Sequence, residues 1–402
     1  MMVRQAHIQK GWEYKKLGDA MHIARGGSPR PIKQYLTDDP NGLNWIKIGD
    51  ATESNKYIYK TKEKITKDGL HKTRFVEEGD FLLSNSMSFG RPYIMKTTGC
   101  IHDGWLVLKE IEDIDLDKDF LYHLLCSPYL FEQFDKLAAG STVRNLNIAL
   151  VSSVEIPIPP LDEQKRIVAK LDECFDAIDK ARANVEKNLN NAKELFQSQL
   201  NQIFSQKGDG WVEKKLGEVC SVTSKLIDPK QPEYLNLLHI GGGNIVAETG
   251  ELVGLKTSKD EKLKSGKFSF DDSMVLYNKI RPYLIKVVRP SFKGLCSADM
   301  YPLSPNTDEI SRDYLYFLLV SKKFTDYAIS GSARSGMPKV NRKHLFEFQC
   351  SFPSKYEQNN IIEQLDALKS QTQSLESNYQ QELAALDELK KSILQKAFMG
   401  EL

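Results

Sequence analysis

The chain has 402 residues, too many for one ordinary compact domain, so two or three hydrophobic cores are expected. Hydrophobic residues make up 41% and charged residues 27%, as in folded soluble proteins and unlike disordered or membrane chains. The longest apolar run, Tyr314–Val320, is far shorter than the roughly 20 residues that span a bilayer, so no membrane contact is expected. A net charge of +1 argues against coating nucleic acid by charge alone but allows a local basic face.

The N-terminus and the cysteines indicate a reduced compartment. The first 16 residues mix polar and apolar side chains and lack the apolar core of a secretory signal, so a cytoplasmic location is expected. The cysteines stand singly, without a C-x-x-C pair, which predicts reduced and mostly buried thiols. They are Cys100, Cys126, Cys174, Cys220, Cys296 and Cys350.

An internal repeat organises the chain. The segment Trp12–Gly18 returns as Trp211–Gly217, and Leu43–Gly49 returns as Leu235–Gly241. Further matches follow in the same order, and the spacing between copies stays fixed over the last 80 or so positions of each. These matches are Asp80–Asn85 with Ser273–Asn278, Arg91–Tyr93 with Arg281–Tyr283, and Leu121–Ser127 with Leu315–Ser321.

The back of each copy predicts one long helix. Apolar residues recur at steps of three and four over Ile167–Ile203 and Ile361–Ile393, the heptad pattern of a coiled coil. Neither Pro nor Gly interrupts Leu161–Gln206 or Lys355–Met399, so each helix can run about 44 residues, roughly 65 Å. The two helices are expected to pair antiparallel, and the alternative is that each packs alone on its own domain.

The front of each copy predicts a mixed globule of α+β or α/β class. Short β-rich runs at Trp45–Ile48, Phe81–Leu83, Trp105–Leu108, Tyr234–Ile240 and Met274–Tyr277 are separated by turn residues. A helical stretch follows in each copy, at Phe120–Leu137 and Asp313–Ser330. The predicted domains are two globules, 1–160 and 207–354, each followed by a long helix, 161–206 and 355–402.

Signatures of enzymes are missing from the sequence. The glycine run Gly241–Gly243 lacks the spacing of a phosphate loop and is interpreted as a turn. No Asn/Asp-Pro-Pro-aromatic segment of an amino-methyltransferase occurs, and the dispersed histidines do not form a zinc motif. Glu163–Lys165 resembles a nuclease triplet, but its repeat partner Glu357–Asn359 lacks the lysine. No catalytic residue and no metal or cofactor site is therefore assigned.

The pattern that remains is typical of a binding protein. The second globule carries 22 Lys and Arg against 17 Asp and Glu, while the helices are neutral to acidic. Basic residues beside Ser, Thr and Asn in loops can contact phosphates and base edges, although any one of them can also be plain solvated surface. The candidate DNA-binding residues are Ser28, Arg30, Lys47, Asn85, Arg91, Ser141, Thr142, Arg144, Asn145, Lys225, His239, Asn278, Lys279, Arg281, Ser332, Arg334, Ser335 and Lys339.

Two polar loops at equivalent places, 140–147 and 331–341, each contain an arginine. Arg144 and Arg334 can either neutralise a phosphate or pair with guanine, and the sequence leaves both roles open.

The plan of the chain resembles the DNA-specificity (S) subunit of type I restriction-modification systems. The resemblance rests on the Trp-x-x-Lys-Lys-Leu-Gly segments, the helix lead-in Ile156–Gln164 and the ending Ala397–Leu402, and it covers nearly the whole chain. The second lead-in, Phe352–Gln358, departs from the pattern because it keeps one proline where the first has two.

The resemblance implies a subunit that is itself not an enzyme. Each globule would be a target-recognition domain for one half of a split DNA sequence, with the paired helices as spacer. Two methyltransferase (M) subunits would dock on this region, and restriction (R) subunits would join the complex. S-adenosylmethionine, ATP and Mg²⁺ are expected on those partners and no cofactor on this chain.

Two other classes of function stay open at this point. One is a stand-alone DNA methyltransferase or nuclease, and the other is a coiled-coil scaffold that never contacts DNA. The recognised DNA sequence cannot be derived, because readout depends on side-chain placement.

Overall fold

A computed structural model of the chain describes residues 11–54, 56–85, 89–112, 114–138, 145–332 and 337–402. The chain forms two compact units. The first combines residues up to Val185 with Glu382–Leu402, and the second runs from Glu186 to Gln381. Each unit contains one globule and parts of both long helices. The four predicted segments therefore do not correspond one to one with packing units, because each helix is shared.

The elements of the first copy follow the predicted order of short strands, short helices and one long helix. The strands are β1 Glu13–Lys16, β2 Met21–Arg25, β3 Leu36–Thr37, β4 Leu43–Ile46, β5 Tyr57–Ile58, β6 Glu63–Ile65, β7 Arg74–Val76, β8 Phe81–Ser84, β9 Pro92–Met95, β10 Gly99–Ile101, β11 Trp105–Glu110 and β12 Glu155–Ile158. The helices are α1 Leu17–Ala20, α2 Lys118–Leu125, α3 Pro128–Ala138, α4 Ile148–Ser153 and α5 Leu161–Ser205. Short 3₁₀ helices lie at Ile32–Gln34, Ile48–Glu53 and Lys67–Lys72.

The second copy repeats this order. Its strands are β13 Val212–Lys215, β14 Cys220–Ser221, β15 Leu226–Ile227, β16 Leu238–Ile240, β17 Lys256–Thr257, β18 Lys267–Phe270, β19 Val275–Asn278, β20 Val287–Val288, β21 Gly294–Cys296, β22 Met300–Pro305 and β23 Gln349–Phe352. Its helices are α6 Leu216–Val219, α7 Arg312–Val320, α8 Lys322–Ser330, α9 Arg342–Phe346 and α10 Lys355–Phe398, with 3₁₀ helices at Pro232–Tyr234 and Pro282–Leu284.

Sheet topology confirms the repeat. In the first unit β1 pairs with β12, and the larger sheets have the orders β2-β11-β8-β9-β5 and β3-β6-β4-β10-β7. In the second unit β13 pairs with β23, and the orders are β14-β22-β19-β20 and β15-β18-β21-β16-β17. The central strands match, including one parallel pair in each copy, β4 with β10 and β16 with β21. The differences lie at the sheet edges, where β3 joins β6 but β15 joins β18.

The sheet that contains β8 and β11 is the middle layer of its unit. On one face Leu83 and Leu106 pack with the helix residue Phe120. On the other face Leu82 and Val107 pack against the second sheet. Because both faces are buried, these strands are continuous apolar runs rather than alternating ones.

Three predicted elements need correction. The strand predicted at Tyr234–Ile240 covers only Leu238–Ile240, since Pro232 starts a 3₁₀ helix instead. Each predicted short helix is two helices. The break falls at Ser127 and Ser321, whose buried hydroxyls each donate to the carbonyl three residues back and accept the N–H three residues ahead. One helix therefore ends and another begins around one serine.

The long helices are confirmed and pack against each other. They span 45 and 44 residues. In the first unit Leu171 of α5 shares a core with Leu394 and Phe398 of α10. In the second unit Leu200 of α5 shares a core with Leu365 of α10. The start of each helix thus packs with the end of the other, the predicted antiparallel arrangement.

A buried glutamine joins the start of α5 to its globule. The Nε2 atom of Gln164 donates to the carbonyls of Asp115, at 2.9 Å, and Pro159, at 2.8 Å. Its Oε1 atom accepts the backbone N–H of Asp117 at 2.8 Å. Asp117 is the N-cap of α2. The Gln164 side chain therefore connects the proline turn before α5 to the start of α2.

The second copy makes the same three bonds. The Nε2 atom of Gln358 donates to the carbonyls of Glu309, at 2.8 Å, and Pro353, at 3.1 Å. Its Oε1 atom accepts the N–H of Ser311, the N-cap of α7, at 3.1 Å. Both glutamines are 0% exposed, and their shared bonds explain why the glutamine recurs in both lead-ins.

We predict that Gln358→Ala destabilises the second unit by about 3 kcal/mol or more, because three hydrogen bonds are lost and their backbone partners stay buried. Urea unfolding measures this change. Gln381→Ala, at an exposed position of the same helix, is the matched control and should change stability by less than about 0.5 kcal/mol. Equal effects of the two substitutions would contradict the role given to Gln358.

Candidate nucleic-acid interface

The carboxylate of Asp103, between β10 and β11, gathers polar side chains of the first globule. The hydroxyl of Ser28 donates to it at 2.8 Å, and Nε2 of His102 lies 2.9 Å away. A guanidinium nitrogen of Arg30 lies at 3.6 Å, although this side chain is 80% exposed. Burial works against ionisation of Asp103, but the Ser28 hydroxyl and the neighbouring cations outweigh it and hold the pKa below its usual range.

The backbone carbonyl of Asp103 accepts hydrogen bonds from two more side chains. Nδ2 of Asn85 donates to it at 2.9 Å and Nε of Arg25 at 3.0 Å. Asn85 is 2% exposed, so it positions the turn rather than facing solvent. The turn at Asp103 is therefore fixed from both its side chain and its main chain.

A cleft of about 880 Å³ opens beside this turn. Its polar lining contains one acid, Glu63, and a set that we call the first basic cluster: Ser28, Arg30, Lys33, Lys47 and His102. Lys47 is paired with Glu63 at 2.6 Å. The structure thus brings together Ser28, Arg30 and Lys47, which are far apart in sequence.

The second globule has its own group, the second basic cluster, formed by Lys279, Lys339 and Arg342 near Asp299 and Tyr301. The ammonium groups of Lys279 and Lys339 lie 3.8 and 3.9 Å from one Asp299 carboxylate oxygen. Lys279 and Arg342 also lie over the ring of Tyr301, at 5.2 and 5.8 Å from its centre. Burial, and then the charge of Lys339, lower the pKa of Lys279. With three cations and one carboxylate, the cluster is net positive.

His239 occupies the place that Trp45 holds in the first copy, because each pairs with the middle residue of its parallel neighbour, Leu295 or Cys100. Its Nδ1 atom lies 2.9 Å from Glu261. The side chain is buried, and burial lowers its pKa although Glu261 opposes the shift. Within the described residues its Nε2 atom makes no hydrogen bond.

Comparison with known proteins decides the family. The family model described as type I restriction modification DNA specificity domain matches twice, at residues 9–188 and 208–385. The chain belongs to this family. The predicted repeat, and the prediction of DNA specificity rather than catalysis, are confirmed at this level.

Relatives agree with this assignment. The specificity subunit of the type I restriction enzyme EcoDI of Escherichia coli is 28% identical over 73% of this chain and 72% of its own length. The MjaIX specificity subunit of Methanocaldococcus jannaschii is 24% identical over 68% of this chain and 67% of its own.

Two solved structures share the fold. One, from a study of assembly and conformational transition of a type I R-M system, has a TM-score of 0.77 at 20% identity and covers 98% of this chain and 99% of its own. The HsdS subunit of Thermoanaerobacter tengcongensis has a TM-score of 0.59 at 21% identity, covering 98% of each chain.

The predicted match between the Arg-Pro-Tyr tripeptides at 91 and 281 of this specificity-domain protein is wrong in space. The strand register pairs Leu82 with Tyr93 in the first copy and the equivalent Leu276 with Val288 in the second. Arg281 therefore lies inside the loop between β19 and β20, whereas Arg91 stands directly before β9. The two tripeptides match in sequence but not in position.

The remaining predicted residues are placed as follows. Asn145 and Lys225 are exposed, and neither belongs to a basic cluster. Asn278 is buried, and its Oδ1 atom accepts the N–H of Ile280. Ser332 is 3% exposed, and its hydroxyl donates to the carbonyl of Ile329 at the end of α8. Ser141, Thr142, Arg144, Arg334 and Ser335 lie outside the described residues.

Sequence reasoning missed both aspartates at the centres of the clusters. The two aspartates share a turn but not a repeat position. The carbonyl of Asp299 accepts the N–H of Lys279, whereas the matching bond of the first copy, from Asn85, ends on Gly104. The repeat therefore held no shared aspartate that could have marked them. His102 was also missed, and nothing in its sequence context marks it. Arg25 and Arg342 stand in basic stretches of the sequence, 25–30 and 334–343, but were not among the candidate residues.

In the part of the chain that the structure describes, no group of three or more His, Cys, Asp or Glu side chains is arranged to hold a metal ion. Among the same residues, no helix is long and apolar enough to cross a membrane.

We predict that Asp103→Asn weakens discrimination in one half of the DNA target, because Ser28 and Arg30 lose the charge that orients them. The loss should approach the roughly 1–3 kcal/mol of one mismatched base pair. Competition binding with single-mismatch DNA, in the assembled complex, measures it. Asp68→Asn, at an exposed position of the same globule, is the control and should have no effect. Equal weakening of both halves of the target would contradict the assignment.

Proposed function

We propose that this chain is the DNA-specificity subunit of a type I restriction-modification complex, in which each globule reads one half of a split DNA target. One observation carries the proposal: the DNA specificity family matches both copies, and each matched globule gathers basic side chains around an aspartate in the turn before β11 or β22. Basic side chains in such a group can contact the phosphates and the base edges of DNA.

The proposal includes the partners of the chain. The paired helices set the distance between the half-sites and dock two methyltransferase (M) subunits, and restriction (R) subunits join through the complex. S-adenosylmethionine, ATP and Mg²⁺ bind on those partners. We place the protein in the cytoplasm because its proposed ligand is double-stranded DNA. Neither a scaffold without DNA contact nor a stand-alone methyltransferase or nuclease gains support from any relative.

The first test is a gel shift of the chain with M subunits on DNA that carries the target. Binding should depend on sequence, and it should fall steeply with salt because phosphate contacts release counterions. Binding that is independent of sequence at every salt concentration would overturn the proposal.

We predict that the globules act as separate readers. Exchange of residues 12–154 for the same region of a relative should change one half of the methylated sequence and leave the other intact, because the two copies have separate cores. Sequencing of methylated sites measures this result. The reciprocal exchange of residues 207–354 is the control and should change the other half alone. A change in both halves after either exchange would rule out separate readers.

We predict that helix length sets the gap between the half-sites. Four residues inserted after Lys187, with four after Gln381 so that the two helices stay matched, add about 6 Å of helix. DNA advances about 3.4 Å per base pair, so the unread gap should lengthen by one or two base pairs. Methylation of targets with varied gaps measures the shift. An unchanged gap with full activity would show that the helices do not measure it.

A further inference from the structure

The loop between β19 and β20 has an unusual backbone. Two residues other than glycine adopt left-handed conformations, Arg281 with φ 52° and Ile285 with φ 46°. This region is disfavoured for L-residues, and most strongly for a β-branched residue such as isoleucine. Such conformations persist only where the surroundings impose them, and they concentrate at functional sites.

Contacts on both sides hold the loop in this shape. The N–H of Arg281 donates to the carbonyl of Pro338 at 2.9 Å, and Ile280 forms a β-bridge with Lys339. On the other side the N–H of Glu248 donates to the carbonyl of Leu284 at 3.1 Å. The loop is thus fixed before any ligand arrives.

The loop exposes an aromatic ring to solvent. Tyr283 is 50% exposed, and Arg281 beside it is exposed as well. Met337, next to the Pro338 that holds the loop, is 58% exposed. The first copy offers no such ring from its own Arg-Pro-Tyr: Tyr93 is 8% exposed and packs edge-on against Trp105, 5.7 Å between centres.

The loop that carries the ring is joined to a cationic cluster. Lys339, which bridges to the loop, belongs to the second basic cluster with Lys279 and Arg342. The cluster contains one acidic side chain, Asp299, against these three cations. A protein-docking patch is expected to be poor in lysine, whereas aromatic rings beside cations are the usual surface for stacking on nucleic acid bases.

We infer that Tyr283 is a specificity-determining residue of the second globule, which stacks its ring against a base step that it opens in the DNA. The fixed loop holds the ring at the duplex while the cationic cluster binds the flanking phosphates. Opening a base step depends on how easily that step unstacks, so this globule reads local deformability as well as base edges. This inference rests on the proposed function and adds a mode of readout that the first globule's Tyr93 does not supply.

The test uses the complex assembled with M subunits and DNA carrying 2-aminopurine at successive positions of the second half-site. For the wild type we expect raised fluorescence at one position next to Tyr283. Tyr283→Ala should abolish that signal and weaken binding roughly five- to 150-fold, the range found for loss of one stacking ring. Tyr283→Phe keeps the ring and should retain both. A base flipped out for methylation also raises fluorescence, but that signal should persist in every variant.

Tyr59→Ala is the matched control, because Tyr59 is 61% exposed but lies in the first globule. It should leave fluorescence in the second half-site unchanged. Wild-type fluorescence and affinity in Tyr283→Ala, with its melting temperature intact, would overturn the inference while the proposed function stands. Loss of M-subunit assembly in that variant would also overturn it, since the ring would then dock protein. Absence of sequence-dependent binding by the wild-type complex would instead refute the proposed function.

Discussion

Two buried amides, those of Gln164 and Gln358, hold the orientation of each globule on its long helix. Apolar contacts between a globule and a helix are not directional, whereas a primary amide with three partners accepts only one geometry. Each amide joins the proline turn, the loop before a short helix and the N–H of that helix's N-cap. The strands that carry the basic clusters are therefore held in fixed geometry to the helix start, as reading DNA at the resolution of single base pairs requires.

Around these two buried glutamines, the two copies form different ion pairs between globule and long helix. In the second copy one arginine links the start of a short helix to the long helix. In the first copy the same task is divided between a lysine and a histidine. The pairs are Arg289 with Asp313 and Asp366, Lys56 with Asp119, and His123 with Asp172. The pKa of His123 is lowered, mainly by burial and against the pull of Asp172, so this link of the first copy is weaker near neutral pH than the charged clamp of the second.

The sequence predicts those parts of the fold that repeat or that have a period. The heptads over α5 and α10, the copies themselves and the interpretation of Gly241–Gly243 as a turn needed no tertiary information. What could not be predicted depends on a few hydrogen bonds or on loop length. Ser127 divides a continuous apolar pattern through one hydroxyl. Asp103 becomes the centre of a cluster only when strands distant in sequence meet, and the two Arg-Pro-Tyr tripeptides separate because strand register overrides letter matching.

The shared helices also determine the order in which the chain can fold during synthesis. The second unit, Glu186–Gln381, is one continuous stretch, while the first unit lacks Leu394, Ala397 and Phe398 of its core until the whole second unit has left the ribosome. The globule made first is consequently finished last, after a loop of nearly two hundred residues has closed. Until then this globule exposes the apolar heptad positions of α5 that α10 later covers. Chaperones and proteases can therefore reach the nascent chain most easily in its N-terminal globule.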